Sequence, residues 1–170
     1  MRFAFALLAL MALSACGLSP MYAGGPGAAT AGGVAGVHVP AIQGQGGWLV
    51  KNALDARLGL GRNGAGEATP QYRLDVRLDD SLEALGVLND DTISRERRIL
   101  RARYQLVDLA TGSVLLDATA GSDAGIDVVS SEYATIAAEQ KALENLALDV
   151  ADRITTQVAL TLRNRAAAGQ

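Results

Sequence analysis

Eight consecutive residues, Tyr72 to Asp79, alternate without a fault: Tyr72, Leu74, Val76 and Leu78 are apolar or aromatic, while Arg73, Asp75, Arg77 and Asp79 are charged. Successive side chains of an extended chain point to opposite faces, so this period predicts a strand with one dry face and one wet face. That single run excludes an all-helical fold and demands an apolar layer to cover the dry face. The pattern repeats from about Arg97 to Leu109, with Leu100, Ala102, Tyr104 and Leu106 inward and Arg101, Arg103 and Gln105 outward. Ala110-Thr111-Gly112 reads as a hairpin turn, and a third strand places Val114, Leu116, Ala118 and Ala120 inward. The intervening Asp80 to Ser94 is mixed; it extends the first strand and turns near Asn89-Asp90-Asp91. Tyr72 and Tyr104, on apolar faces, read as core or cross-strand partners.

Two helical patterns supply the cover. Val50, Ala53, Leu54 and Leu58 recur at helical spacing between Trp48 and Leu58, with Trp48 packed at the first turn, Gly59 and Gly61 as the stop and Gly64 to Pro70 as loop. Farther on, Ser131 suits an N-cap and Glu132 the positive end of a helix dipole. Tyr133, Ile136, Leu143, Leu146, Val150, Ile154 and Val158 then form one stripe, and Glu139, Glu144, Asp149, Asp152 and Arg153 cover the other side. Lys141 reads as solvent-facing. A helix over 132–163 would be about 48 Å long at 1.5 Å per residue. Ahead of both helices, Val37 and Val39 flank His38 in a short strand that Pro40 confines to an edge. The expected fold is α+β, a two-layer sandwich in the order βαβββα. A mainly antiparallel four-stranded sheet carries two helices on one face, over residues 36–165, with a tail at 166–170.

Composition narrows the chemistry. The 170 residues include one Cys and one His, too few for a disulfide framework or a common zinc site. There is no G-x-S-x-G segment, and His38 reads as a half-exposed strand residue. No catalytic residue, metal ligand or cofactor is expected, and the chain is not expected to be an enzyme. The balance of 15 basic against 18 acidic residues gives a net charge of −3, which excludes a general nucleic-acid footprint. One local feature breaks the average: Arg95, Arg97, Arg98, Arg101 and Arg103 fall within nine positions.

The first 35 residues read differently. Met1-Arg2 followed by the apolar run Phe3 to Leu13 is too short to span a bilayer and suits a signal-peptide core over 1–15. Leu13-Ser14-Ala15-Cys16 resembles the bacterial lipobox, which implies that Cys16 carries diacylglycerol and an N-acyl chain, a durable membrane anchor. Gly17, in place of an acidic residue, favours the outer membrane. The Gly- and Ala-rich stretch 16–35 is expected to be a flexible tether.

Three stretches together resemble the lipopolysaccharide-assembly lipoprotein family LptE, in its alphaproteobacterial form. They are Cys16-Gly17-Leu18-Ser19-Pro20-Met21-Tyr22; Arg101-Ala102-Arg103-Tyr104-Gln105-Leu106 with Asp108 and Thr111-Gly112; and Ser131, Tyr133-Ala134, Ala137, Lys141-Ala142, Ala151 and Ile154. Leu18 stands where the family has an aromatic residue, and the tether is longer than usual. The resemblance implies an outer-membrane lipoprotein that plugs and helps assemble the β-barrel LptD and assists lipopolysaccharide transport to the outer leaflet. It also implies glycolipid contact by basic residues near the turn after the first long strand, here Arg95, Arg97, Arg98 and Arg101. Their alternative is a solvated face paired with Asp75, Asp79, Asp90, Asp91 and Glu96. The alternative for the whole chain is a periplasmic auxiliary lipoprotein of a lipid-trafficking ABC transport system.

Overall fold

The computed structural model describes residues 36–58, 69–85 and 95–168. The signal segment, Cys16 and the tether lie outside them, as do Gly59, Gly61 and the Asn89-Asp90-Asp91 turn. The described chain runs β1 (Val37–His38), α1 (Gly44–Leu58), β2 (Tyr72–Ala84), β3 (Arg95–Asp108), β4 (Val114–Asp127) and α2 (Glu132–Ala168). The four strands form one sheet in the order β1-β2-β3-β4. β1 joins β2 in parallel, whereas β2, β3 and β4 are antiparallel. This is the expected α+β arrangement.

Period-2 alternation survives across the whole sheet because the register is in phase. Leu74, Leu106 and Leu116 stand in one cross-strand row, and Leu78, Ala102 and Ala120 in another. That face meets α1 and α2. Leu54, Leu74, Leu100, Tyr104, Leu106, Leu143, Val150 and Ile154 are each at most 1% exposed. Deep burial raises the Tyr104 phenol above its ordinary pKa. Val37 and Val39 are buried on either side of the exposed His38, as the alternation predicts.

Glycine chemistry starts α1 earlier than the apolar pattern suggests. The helix opens at Gly44, whose φ of 82° suits a residue without Cβ. A Cβ on Gly47 would stand 2.6 Å from the carbonyl oxygen of Ile42, so only glycine lets the entering chain fold back this closely. Trp48 does not pack at the first turn; it is 63% exposed. Gly46 and Gly47 take the inward places instead, and Gly46 rests on Leu143 of α2.

Two further expectations are corrected at element ends. Tyr133 is 84% and Ile136 45% exposed, so the inward stripe of α2 begins at Thr135 and becomes continuous only from Ala142. The reason is geometric: α1 starts alongside Leu143, leaving the first turns of α2 without a helix neighbour among the described residues. Val114 also points away from the core, because a register shift at Leu106/Val107 inserts an extra residue and rotates the start of β4.

The far end is tied more firmly. Asp108 accepts hydrogen bonds from the backbone N–H groups of Ala110 and Thr111, which builds the turn that Gly112 closes with a φ of 69°. Its other oxygen accepts from Arg165 Nη2 at 2.8 Å, joining the last turns of α2 to the hairpin. With 37 residues, α2 is about 55 Å long.

Candidate functional site

Among the described residues the second sheet face carries no helix. Past the Leu106/Val107 shift the strands stay in phase, so the odd-numbered residues of 73–83, 95–105 and 117–127 face outward in rows whose members are fixed by register. The rows run Asp75–Gln105–Asp117, Arg77–Arg103–Thr119, Asp79–Arg101–Gly121, Ser81–Ile99–Asp123 and Glu83–Arg97–Gly125. Arg95 and Asp127 close the series. The face is a lattice of arginines and carboxylates.

The four arginines expected to contact glycolipid do not share one surface. Arg95, Arg97 and Arg101 lie on this open face. Arg98 is even-numbered and turns toward the helices, where its Nε and Nη2 bond both carboxylate oxygens of Asp80 at 2.9 and 2.6 Å. Its Nη1 donates to the carbonyl oxygen of Glu139 at 3.1 Å. Arg98 therefore fastens the end of the sheet to α2. The bond to Asp80 holds its guanidinium charged beyond the ordinary arginine range, against the opposing effect of partial burial.

On the open face the ion pairs are mostly cross-strand. Arg97 Nη2 meets its register partner Glu83 at 3.0 Å, and Arg95 Nε meets Asp127 at 3.3 Å. Arg103 bonds both oxygens of Asp117 at 3.2 and 3.0 Å, and Gln105 adds a third hydrogen bond at 2.8 Å. The Arg103 bonds, and then that of Gln105, hold the Asp117 carboxyl below its ordinary pKa. Arg73 grips Asp75 within its own strand. These partners differ from the expected ones: Asp75 takes Arg73, Asp79 takes no arginine among the described residues, and Asp90 and Asp91 lie outside them.

Two features of this face were missed. Arg77 stands directly opposite Arg103, a like-charge pairing that costs a sheet stability, and Arg77 has no carboxylate partner among the described residues. Arg101 is opposite Asp79 in register but also makes no ion pair among the described residues. Its stem instead lies across Gly121, where an added Cβ would stand 3.4 Å from Arg101 Cγ. Around these groups the face is dished. One groove of about 350 Å³ is lined by Arg77, Asp79, Arg101, Arg103, Thr119 and Gly121. A second, of about 600 Å³, continues past Arg77 and Arg103 to Pro40 and Ile42 beyond β1. The alternating Arg and Asp residues were visible in the sequence, but the register that sets Arg77 against Arg103 was not.

The family model for LptE, lipopolysaccharide-assembly, matches residues 34–158. No curated protein matches the chain. Among solved structures, a candidate lipoprotein from Caulobacter crescentus CB15 is 25% identical, with a TM-score of 0.65 over 81% of this chain and 98% of its own. The rare lipoprotein B of Shewanella oneidensis is 12% identical, with a TM-score of 0.58 over 75% of this chain and 98% of its own. A lipoprotein B from Nitrosomonas europaea gives 14% identity and a TM-score of 0.54, over 72% of this chain and 79% of its own. The last two speak to the fold alone.

Proposed function

The chain belongs to the LptE lipopolysaccharide-assembly family, whose members are not enzymes, and from that premise we propose that it plugs and helps assemble an LptD-type outer-membrane β-barrel. In that role it assists delivery of lipopolysaccharide to the outer leaflet. The observation that carries this reading is the family match over 34–158, and a sheet face lined with arginines and carboxylates agrees with it. The lumen of a large barrel is polar, so a plug must offer it charged and hydroxyl groups rather than an apolar patch. Among the described residues no helix is long and apolar enough to cross a membrane. The lipobox-like Leu13-Ser14-Ala15-Cys16 supports attachment through Cys16, whose diacylglycerol and N-acyl chains together would bury enough methylene groups for durable anchoring at the periplasmic face of the outer membrane.

Within this reading Arg95, Arg97 and Arg101 are the glycolipid-facing arginines of the original set, since guanidinium forks bind phosphate in two-pronged fashion and these three lie on the open face. Arg98 contributes by holding the sheet end to α2. The test is co-purification: the tagged chain extracted in mild detergent brings down an outer-membrane barrel, and a preparation consistently free of one sinks the proposal. Fractionation to the inner membrane, with transporter components bound, would favour the ABC-system reading instead.

A further inference from the structure

We propose that Arg77, Arg101 and Arg103, with Asp79 and Thr119, form a binding site for a phosphorylated sugar at the centre of the open sheet face. The inference deepens the lipopolysaccharide reading and rests on it for the source of the ligand. Its location, well inside the sheet and away from Arg95 and Arg97, comes from the geometry alone.

Three observations converge. Arg77 and Arg103 are directly opposed in register, which places two positive charges where a sheet gains from opposite signs. Arg77 and Arg101 both lack an ionic partner among the described residues, while every other arginine of β3 has one. Gly121 removes the side chain that would fill the row beside Arg101, and the resulting groove of about 350 Å³ has room for a small ligand rather than a flat protein wall. An anion resting between Arg77, Arg101 and Arg103 would relieve the like-charge opposition.

The remaining lining residues define the ligand further. Asp79 accepts hydrogen bonds and repels a second phosphate, and Thr119 donates or accepts. A bare phosphate uses neither well. A sugar phosphate uses both, its phosphate on the forks of Arg77 and Arg101 beside the Asp117-bound Arg103, and its hydroxyls on Asp79 and Thr119. The adjoining groove toward Pro40 and Ile42 gives a larger glycan somewhere to continue.

The experiment uses the full lipidated chain in detergent and calorimetric titration with N-acetylglucosamine 1-phosphate, inorganic phosphate and N-acetylglucosamine. The sugar phosphate is expected to bind about tenfold more tightly than inorganic phosphate, with no heat from the neutral sugar. R77Q/R101Q is expected to lose about tenfold or more of that affinity, with circular dichroism unchanged, whereas R163Q, at an exposed position of α2, stays within about twofold of wild type. If the double variant misfolds, Arg77→Lys keeps the charge, removes the planar fork and is expected to weaken binding by itself. Absence of wild-type binding, or equal losses in R163Q and R77Q/R101Q, overturns the site. A defect of R77Q/R101Q in barrel co-purification without any sugar-phosphate binding also overturns it and makes the groove a barrel contact. Binding of intact but not dephosphorylated lipopolysaccharide would identify the glycolipid headgroup as source, and binding of the soluble ester alone a free sugar phosphate. Sugar-phosphate binding in a chain that recovers no barrel would keep the site and remove the plug.

Discussion

β3 presents two opposite chemistries on alternate residues. On the helix side, Leu100, Ala102, Tyr104 and Leu106 are at most 1% exposed and interlock with α1, α2 and both neighbouring strands. On the open side, Arg97, Arg101 and Arg103 meet solvent and reach across to single carboxylates or to none. The same backbone thus holds one face fixed by shape and one fixed by charge. A packed face tolerates few substitutions because a void loses both transfer energy and contacts. A charged face is cheap to alter, since an exposed ion pair contributes about 0–1 kcal/mol. That asymmetry leaves the open face available for recognition.

The sharpest way to break this contrast is to cut into the packed side. Leu100→Ala is expected to destabilise the protein by about 2–5 kcal/mol in denaturant unfolding, because Leu100 is wholly buried in the central strand. An effect as small as those on the open face would erase the distinction. Arg98→Ala probes the one arginine that belongs to the packed side. It strands Asp80 and frees the carbonyl of Glu139, for an expected loss of about 1–3 kcal/mol, measurable by the same method. A change below about 0.5 kcal/mol would return Arg98 to the solvated class.

Sequence reading and structure part company where a third dimension is needed. The alternation in β2 and β3, the core stripe of α2 from Leu143 onward and the order of elements follow from periodicity alone, which is why they were legible. Arg98 was grouped with its neighbour Arg97 although a strand sends the two to opposite faces; carrying the inward phase of Leu100 and Ala102 back to 98 would have found it, and its bonds to Asp80 and Glu139 show what it does there. Trp48 and Tyr133 misled in the opposite sense. Tyr133 fits the stripe of α2 and Trp48 was expected to pack at the first turn of α1, yet α1 buries glycines there and α2 begins before α1 reaches it. A stripe marks the side that would be buried if a neighbour were present; it does not supply the neighbour.

Within the open face the comparison can be sharpened by sign. Arg77→Gln removes the like-charge opposition to Arg103 and is expected to stabilise the fold by about 0.2–1 kcal/mol, seen as a raised unfolding midpoint. Most surface changes do nothing or harm, so a gain would mark Arg77 as kept at a cost to stability. A loss would show that Arg77 has a partner worth more than the repulsion.

The smallest expected effect is that of acid on Asp117. Arg103 and Gln105 hold its carboxyl below the ordinary value, so the folded state binds its proton less readily than the unfolded chain does. The associated stability is present above the unfolded carboxylate pKa and is lost as pH falls through the depressed folded value. Asp152 behaves alike because Arg57 lowers it, which ties α1 to α2 by the same kind of bond. Both carboxylates are largely exposed, so each contribution is slight. Comparing wild type with Asp117→Asn from neutral to acid pH, the stability difference should be widest near neutrality and close below the ordinary carboxylate range. A gap that stayed constant with pH would mean that Asp117 acts through shape, like the residues on the far side of the sheet, and not through its charge.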